Sequence, residues 1–271
     1  MLTENEKWFF DLQGYLVLKQ VVPKEDIQRM RDLCDAWNLL PDSELPAPLR
    51  SYSAPGVSAT TPRAINNVEY ADEAFQRLTL NREIMRCVLA LTGNCPQLLD
   101  VALTRNTTGS DDIPLHGGFS GGLRNPANDY QAADGKILAT FLNAGVSLVD
   151  VPPGDGFVCI PGSHKSNFPM PDNINIYSEP PILHNVSVSA GDVVLFTEAL
   201  CHGARKWKQP YARRTVFVRY CTAYASWSPN HAPIESHRDK LSEDVYELHQ
   251  KAGFQERKRI VKQLLAEMGE A

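Results

Sequence analysis

An antiparallel β sandwich or barrel flanked by helices is the fold class this sequence predicts, on three observations. From residue 97 to about 220, short β-prone runs follow one another between Gly and Pro, with no helical blocks to build a parallel βαβ sheet. Before and after that stretch the apolar residues recur at 3 to 4 residue spacing instead. The chain has 271 residues, 43% hydrophobic and 22% charged, so it can bury a core and is neither disordered, collagen-like nor a disulfide framework.

Residues 5–18 combine a short amphipathic turn with Gly14 and the β-prone run Tyr15-Leu16-Val17-Leu18. A helix follows from Pro23, with Glu25 and Asp26 in its first turn and Ile27, Met30, Leu33, Cys34 and Trp37 on its apolar stripe. Leu40 to Thr61 is rich in Pro, Ser and Ala without periodicity, and is expected to be a functional loop or lid or a plain surface excursion. A second helical block runs from Ala71 to Leu91 and stops at Thr92-Gly93-Asn94. Strands are expected at Leu98–Leu103, Ile137–Leu142, Gly156–Ile160, Val186–Val188, Val193–Phe196 and Thr215–Tyr220. Two helices close the chain, Ser242–Lys251 and Gln255–Met268, and the basic cluster Arg257, Lys258, Arg259, Lys262 is expected to be a solvated face. One domain over 1–271 is expected, with a helical flank to about 95, a β core over about 96–225 and C-terminal helices over about 235–271.

Charge and patterning narrow the partners. Lys plus Arg number 27 against 32 for Asp plus Glu, a net charge of −5, which gives no electrostatic reason to expect nucleic acid. The most continuous apolar stretch, Ile137–Val149, is interrupted by Thr140, Asn143, Gly145 and Ser147 and is too short to span a bilayer. Acidic residues stand near Met1 where a secretory signal would be basic and then apolar, so a cytoplasmic protein is expected. The six cysteines form no C-x-x-C pair and are expected to be reduced and mostly buried.

Two histidines stand out by context. His116 lies in Pro114-Leu115-His116-Gly117-Gly118, after a strand and a polar turn. His202 arrives where the strand launched by Gly191-Asp192 ends, and Arg213, beside Arg214, opens the next strong strand. Two neutral imidazoles suit Fe(II), and strands of a small barrel can aim both at one interior atom. A guanidinium a strand away can clamp a carboxylate in bidentate fashion.

The order of these features resembles the phytanoyl-CoA dioxygenase-like branch of the Fe(II)/2-oxoglutarate oxygenases. The likeness covers Phe10–Leu18, the helix from Pro23, the segment Gly154-Asp155-Gly156-Phe157-Val158-Cys159-Ile160-Pro161-Gly162-Ser163-His164-Lys165, and then Gly191-Asp192, His202 and Arg213. What the resemblance implies is a double-stranded β-helix, a cupin-like jelly roll, with Fe(II) held by His116 and His202 and the distal carboxylate of 2-oxoglutarate on Arg213. Arg214 is the alternative anchor, since neighbouring strand residues face opposite ways. His164 is expected to make a structural hydrogen bond, and His184, His231, His237 and His249 fit no motif.

The family's proximal motif is H-x-D, and Gly118 stands here in place of the carboxylate. Three readings follow. In the first, Gly118 faces a halide: with O₂ as oxidant and chloride on the metal, the protein is a halogenase acting on an unactivated C–H bond. In the second, water or a carboxylate such as Asp111 or Asp112 fills the position, and the protein is a hydroxylase or desaturase. In the third, the barrel is a non-catalytic binding protein. A small polar, anionic substrate is expected from the candidate contacts Arg124 and Asn125, in the Gly-rich run Gly117, Gly118, Gly121 and Gly122, and from Trp207 with Arg205, Lys206 and Lys208.

Overall fold

The computed structural model describes residues 1–52, 63–117, 129–179, 181–225 and 234–270. The chain begins with a full helix, α1 (Glu4–Gln13), rather than the expected short turn. Its start is a capping box: Thr3 Oγ1 accepts from the Glu6 N–H at 3.2 Å, and the Glu6 carboxylate accepts from the Thr3 N–H at 2.8 Å. Gly14 ends the helix at φ 83°, and a Cβ there would fall 2.6 Å from His164 Nδ1, so a residue without a side chain is required for the turn into β1 (Tyr15–Leu18). Helix α2 (Lys24–Asn38) starts after Pro23 and buries Ile27, Met30, Cys34 and Trp37.

The expected Ala71–Leu91 helix is two helices, α3 (Glu73–Thr79) and α4 (Arg82–Leu91). The break lies at Asn81, whose side-chain oxygen accepts from the N–H groups of Glu83 and Ile84 and so starts a new helix. Strands β2 (Arg50–Tyr52) and β3 (Arg63–Asn66) flank residues 53–62, the part of the expected loop or lid that falls outside the described residues.

The β region comprises β4 (Pro96–Asn106), β5 (Ile113–His116), β6 (Tyr130–Ala133), β7 (Lys136–Ala139), β8 (Phe141–Ser147), β9 (Gly156–Cys159), β10 (His184–Asn185), β11 (Val193–Thr197), β12 (His202–Arg205) and β13 (Arg213–Thr222). The run expected at Val186–Val188 is not a strand: β10 lies just before it, and Val188 makes an isolated bridge to Val151. Among the described residues these strands form three antiparallel sheets, a seven-stranded one in the order β1-β11-β8-β13-β4-β3-β2, a four-stranded one in the order β10-β9-β12-β5, and the pair β6-β7. This is the jelly-roll core with flanking helices that the resemblance implies.

Strand alternation divides the large sheet into two buried faces. Leu142, Ala144, Val146, Val193, Leu195, Val216 and Val218 pack into the main core with residues of the flanking helices. The other parity, including Val194 and Phe196, joins Phe157 and Phe217 inside the barrel. Pairing register aligns Phe196 on β11, Asn143 on β8, Arg219 on β13 and Asp100 on β4 in one row across this inner face.

The C-terminal helices are α5 (Glu243–His249), capped by the Ser242 side chain, and α6 (Arg259–Glu267). The basic cluster before and on α6 is not uniformly solvated. Lys258 is buried, its ammonium donating to the carbonyls of Pro96 and Leu248 at 2.9 and 2.8 Å, and burial pulls its pKa down to about 8. All six cysteines are free and buried. Among the described residues no helix is long and apolar enough to cross a membrane.

Candidate metal centre

His116 and His202 are brought together by pairing of β5 with β12, where the two residues are register partners and their ring centroids lie 4.2 Å apart. Each ring is fixed by its own backbone two residues back. His116 Nδ1–H donates to the Pro114 carbonyl at 2.9 Å, and His202 Nδ1–H donates to the Leu200 carbonyl at 2.7 Å. A carbonyl only accepts, so both rings carry their proton on Nδ1 and keep Nε2 as a lone-pair donor. His202 is buried, with its pKa pulled down to about 3, chiefly by desolvation and further by the neighbouring His116, so it is neutral and ready to ligate.

The carboxylate beside them is Glu198. Its side chain and the two imidazoles place ligand atoms all within 4.8 Å of one another, the one such His/Cys/Asp/Glu group among the described residues. Asn143 Nδ2 donates to Glu198 Oε2 at 2.6 Å and holds the carboxylate, while burial pushes the carboxyl pKa up. Glu198 continues the inward parity of Val194 and Phe196 just beyond the end of β11, and that alternation was the signal available in the sequence. The carboxylates expected to substitute do not join the group: Asp112 accepts from the Tyr177 hydroxyl at 2.6 Å, and neither it nor Asp111 is within that 4.8 Å cluster.

Gly117 makes the arrangement possible. At φ 77° its missing Cβ would lie 2.6 Å from the Glu198 carbonyl oxygen and 2.7 Å from that of Leu200, so the turn carrying Glu198 presses directly on the backbone after His116. Two imidazoles and one carboxylate, with both histidines oriented by backbone carbonyls, are a donor set that fits Fe(II).

The three residues line a cavity of about 430 Å³ that Arg213 also lines. Arg213 is buried, its Nε lacks a hydrogen-bond partner, and burial draws its pKa down to about 10. Arg214, on the opposite face of β13, donates from Nε and Nη2 to the two carboxylate oxygens of Asp35 at 2.9 and 2.8 Å. The opposite facing of neighbouring strand residues thus sends one arginine into the cavity and the other to the flank.

Other expected contacts fall elsewhere. Trp207 is buried, donates its indole N–H to the Tyr211 carbonyl, and is not on the cavity wall. Arg205 donates to the Ile176 carbonyl, also off that wall, and Lys206 and Lys208 are exposed. Gly118, Gly121, Gly122, Arg124, Asn125 and His231 lie outside the described residues. His164 is buried, with Nε2 at 3.1 Å from the Asp11 carbonyl and its ring edge-on to Tyr130.

The phytanoyl-CoA dioxygenase (PhyH) profile matches residues 10–215, most of the chain. The chain belongs to the phytanoyl-CoA dioxygenase family. Members of this family are Fe(II)/2-oxoglutarate-dependent oxygenases, and solved structures align with the present family member over most of their length. HygX from Streptomyces hygroscopicus, in a crystal structure with nickel and 2-oxoglutarate bound, is 27% identical, with 83% of this chain and 89% of HygX covered and a TM-score of 0.69. The non-heme alpha ketoglutarate dependent carbocyclase SnoK from nogalamycin biosynthesis is 19% identical, with 89% and 91% covered and a TM-score of 0.62. EctD from S. alaskensis, with bound Fe, is also 19% identical, with 82% and 77% covered and a TM-score of 0.62. The last two likenesses speak to the fold alone. No curated protein sequence matches this family member.

Proposed function

We propose that this protein is an Fe(II)/2-oxoglutarate-dependent oxidoreductase that hydroxylates or desaturates an unactivated C–H position of a small polar molecule, with His116, Glu198 and His202 as the iron ligands. The observation that carries the reading is the carboxylate of Glu198 within 4.8 Å of both histidines, which supplies the charge that Gly118 does not. Iron with 2-oxoglutarate and O₂ supplies two-electron oxidation of a C–H bond, coupled to loss of CO₂ from 2-oxoglutarate and formation of succinate.

The chain's own residues supply orientation. His202 is neutral and buried against Phe157 and Phe196, an apolar surround that limits water at the centre. Asn143 fixes one carboxylate oxygen of Glu198, and Arg213 is the cation available to the distal carboxylate of 2-oxoglutarate. The HygX structure, with nickel and 2-oxoglutarate bound, supports the same cosubstrate here.

Chlorination rests on a missing carboxylate, and a Glu198 carboxylate within 4.8 Å of both histidines supports the hydroxylase or desaturase reading over it. The test is iron stoichiometry under anaerobic conditions for the parent, His116→Ala, His202→Ala and Glu198→Ala. One Fe(II) in the parent and loss in all three variants is expected. Full retention in Glu198→Ala, together with a bromine isotope pattern in the product when bromide is supplied, would instead establish halogenation through Gly118.

A further inference from the structure

Three arginines stand in one register row of the large sheet. Arg63 on β3 is opposite Arg105 on β4, and Arg105 is opposite Arg214 on β13. Residues of the same parity, Ile65, Leu103 and Val216, belong to the main core, which puts the row on the helix-covered face, away from the metal cavity. Like charges directly opposite on paired strands destabilise a sheet, so each guanidinium calls for an acceptor. Arg63 has its acceptors: Nη1 donates to the carbonyls of Trp37, Asn38 and Leu40 at the end of α2, and Nη2 donates to Asp42 at 2.8 Å. Arg214 likewise donates to both carboxylate oxygens of Asp35 and to the Ala212 carbonyl.

Arg105, between them, is left over. The carboxylate oxygen beside it, Asp35 Oδ1, lies 3.5 Å from its Nε and already accepts from Arg214. That Nε is buried without a hydrogen bond, and neither Nη of Arg105 has an acceptor among the described residues. The side chain is nonetheless 28% exposed, so a solute can reach it. The residues outside the described ones, 53–62, 118–128, 180, 226–233 and 271, include no Asp or Glu. Three guanidiniums therefore share two acidic side chains, Asp35 and Asp42. The Cys34 thiol, next to Asp35, is pushed up to about 12 by burial and supplies no negative charge.

We propose that Arg105, flanked by Arg63 and Arg214, is the centre of an anion site that takes a phosphate group, either free phosphate or one carried by a small metabolite. A guanidinium presents a planar fork of N–H donors that fits two oxygens of a phosphate, and a doubly charged group also draws on the cations to either side. The site is on the opposite face of β4 and β13 from Arg213 and the metal cavity, so it stands independently of the proposed iron chemistry. Calorimetric titration of the full chain, in phosphate-free buffer of low ionic strength, would use inorganic phosphate, glucose 6-phosphate and adenosine monophosphate as probes, with chloride and acetate as control anions. At least one phosphate probe should bind once per chain with a Kd of about 1 mM or tighter, and the controls should bind tenfold or more weakly. Tightest binding by inorganic phosphate assigns the site to the free ion, and a tenfold preference for either ester assigns it to a phosphorylated metabolite. Arg105→Gln should weaken binding tenfold or more, and Arg105→Lys, which keeps the charge and loses the fork, should fall between. Lys136→Gln, at an exposed position of β7, should bind like the parent, which separates the site from a general effect of net charge. Arg105 has no hydrogen bond to lose, so Arg105→Gln should melt no lower than the parent without phosphate, and phosphate should raise the melting temperature of the parent alone. No saturable binding of any of the three probes, or undiminished binding by Arg105→Gln, would overturn the site.

Discussion

Arg213 and Arg214 are adjacent, chemically identical and committed to different tasks. Arg214 is paired with Asp35 on α2, whereas Arg213 is buried at the cavity with its Nε unpartnered. A charge-assisted pair with a carboxylate contributes about 1.5 to 3 kcal/mol, on the order of tenfold to a hundredfold in affinity. Arg213→Ala should weaken 2-oxoglutarate binding by that order in equilibrium titration. Arg214→Ala should leave that binding near the parent value and lower thermal stability slightly, since Asp35 is half exposed and its ion pair is screened. The reverse ranking would make Arg214 the anchor. His116, His202 and Arg213 were legible in the sequence because they stand at strand ends in a known order. Glu198 was not singled out, although it lies in the same segment as His202. Alternation along β11 gives its inward parity, but its place beside the two histidines also depends on the contact of its turn with Gly117, which lies far away in the sequence. The row Arg63, Arg105 and Arg214 was equally hidden, since it depends on the register of β3 and β13 against β4.

At the scale of elements, α1 is tied to α4 through Glu6, which both caps its own helix and accepts from Arg86 Nη2 at 2.7 Å and Nη1 at 2.9 Å. The Arg86 hydrogen bonds hold the Glu6 carboxyl down at about 2, against an ordinary value of 4.5. A carboxylate with a depressed folded-state pKa contributes stability that is complete above its unfolded pKa and is lost as pH falls toward the folded one. The pair should therefore support folding above about pH 4.5 and stop doing so by about pH 2. Urea melts across that window should show a steeper acid loss for the parent than for Glu6→Gln, and parallel curves would show that the bond adds nothing. The Thr3-x-x-Glu6 spacing announced this helix, yet sequence reading took it for a turn. Among the strands, those with long β-branched or aromatic runs were legible. β5 contains Pro114, and β12 is His202-Gly203-Ala204-Arg205, so neither has the composition of a strand and both form through pairing.

For the whole molecule, the centre joins the small sheet to the large one: His116 and His202 come from the former, and Glu198 follows β11 of the latter. A ligand that binds only the folded arrangement stabilises it by RT ln(1 + [L]/Kd), about 2.7 kcal/mol at a hundredfold excess over Kd. For a chain of this size that corresponds to a Tm rise of roughly 5 to 10 °C. Fe(II) with 2-oxoglutarate, added without oxygen, should produce a rise of this order in the parent and none in His202→Ala. A rise of equal size in that variant would place the binding elsewhere. The jelly-roll class and its helical flanks were readable because alternation and helical spacing are local. Which strands neighbour one another was not, since that order is decided by crossovers between distant segments.

The three proposed ligands are tethered unequally. Glu198 and His202 share one short turn whose backbone is held from several sides, including Cys201 N–H on Ser163 Oγ at 2.8 Å and Glu198 N–H on the Phe141 carbonyl at 3.1 Å. His116 instead ends β5, a four-residue strand at the edge of its sheet with largely exposed side chains. Edge strands with few contacts open at lower free energy than the interior of a sheet. Fraying of β5 would detach one imidazole while the other two donors keep their places, so metal exchange has a built-in first step. Chelator challenge should then track hydrogen exchange at Leu115 and His116, well ahead of global unfolding.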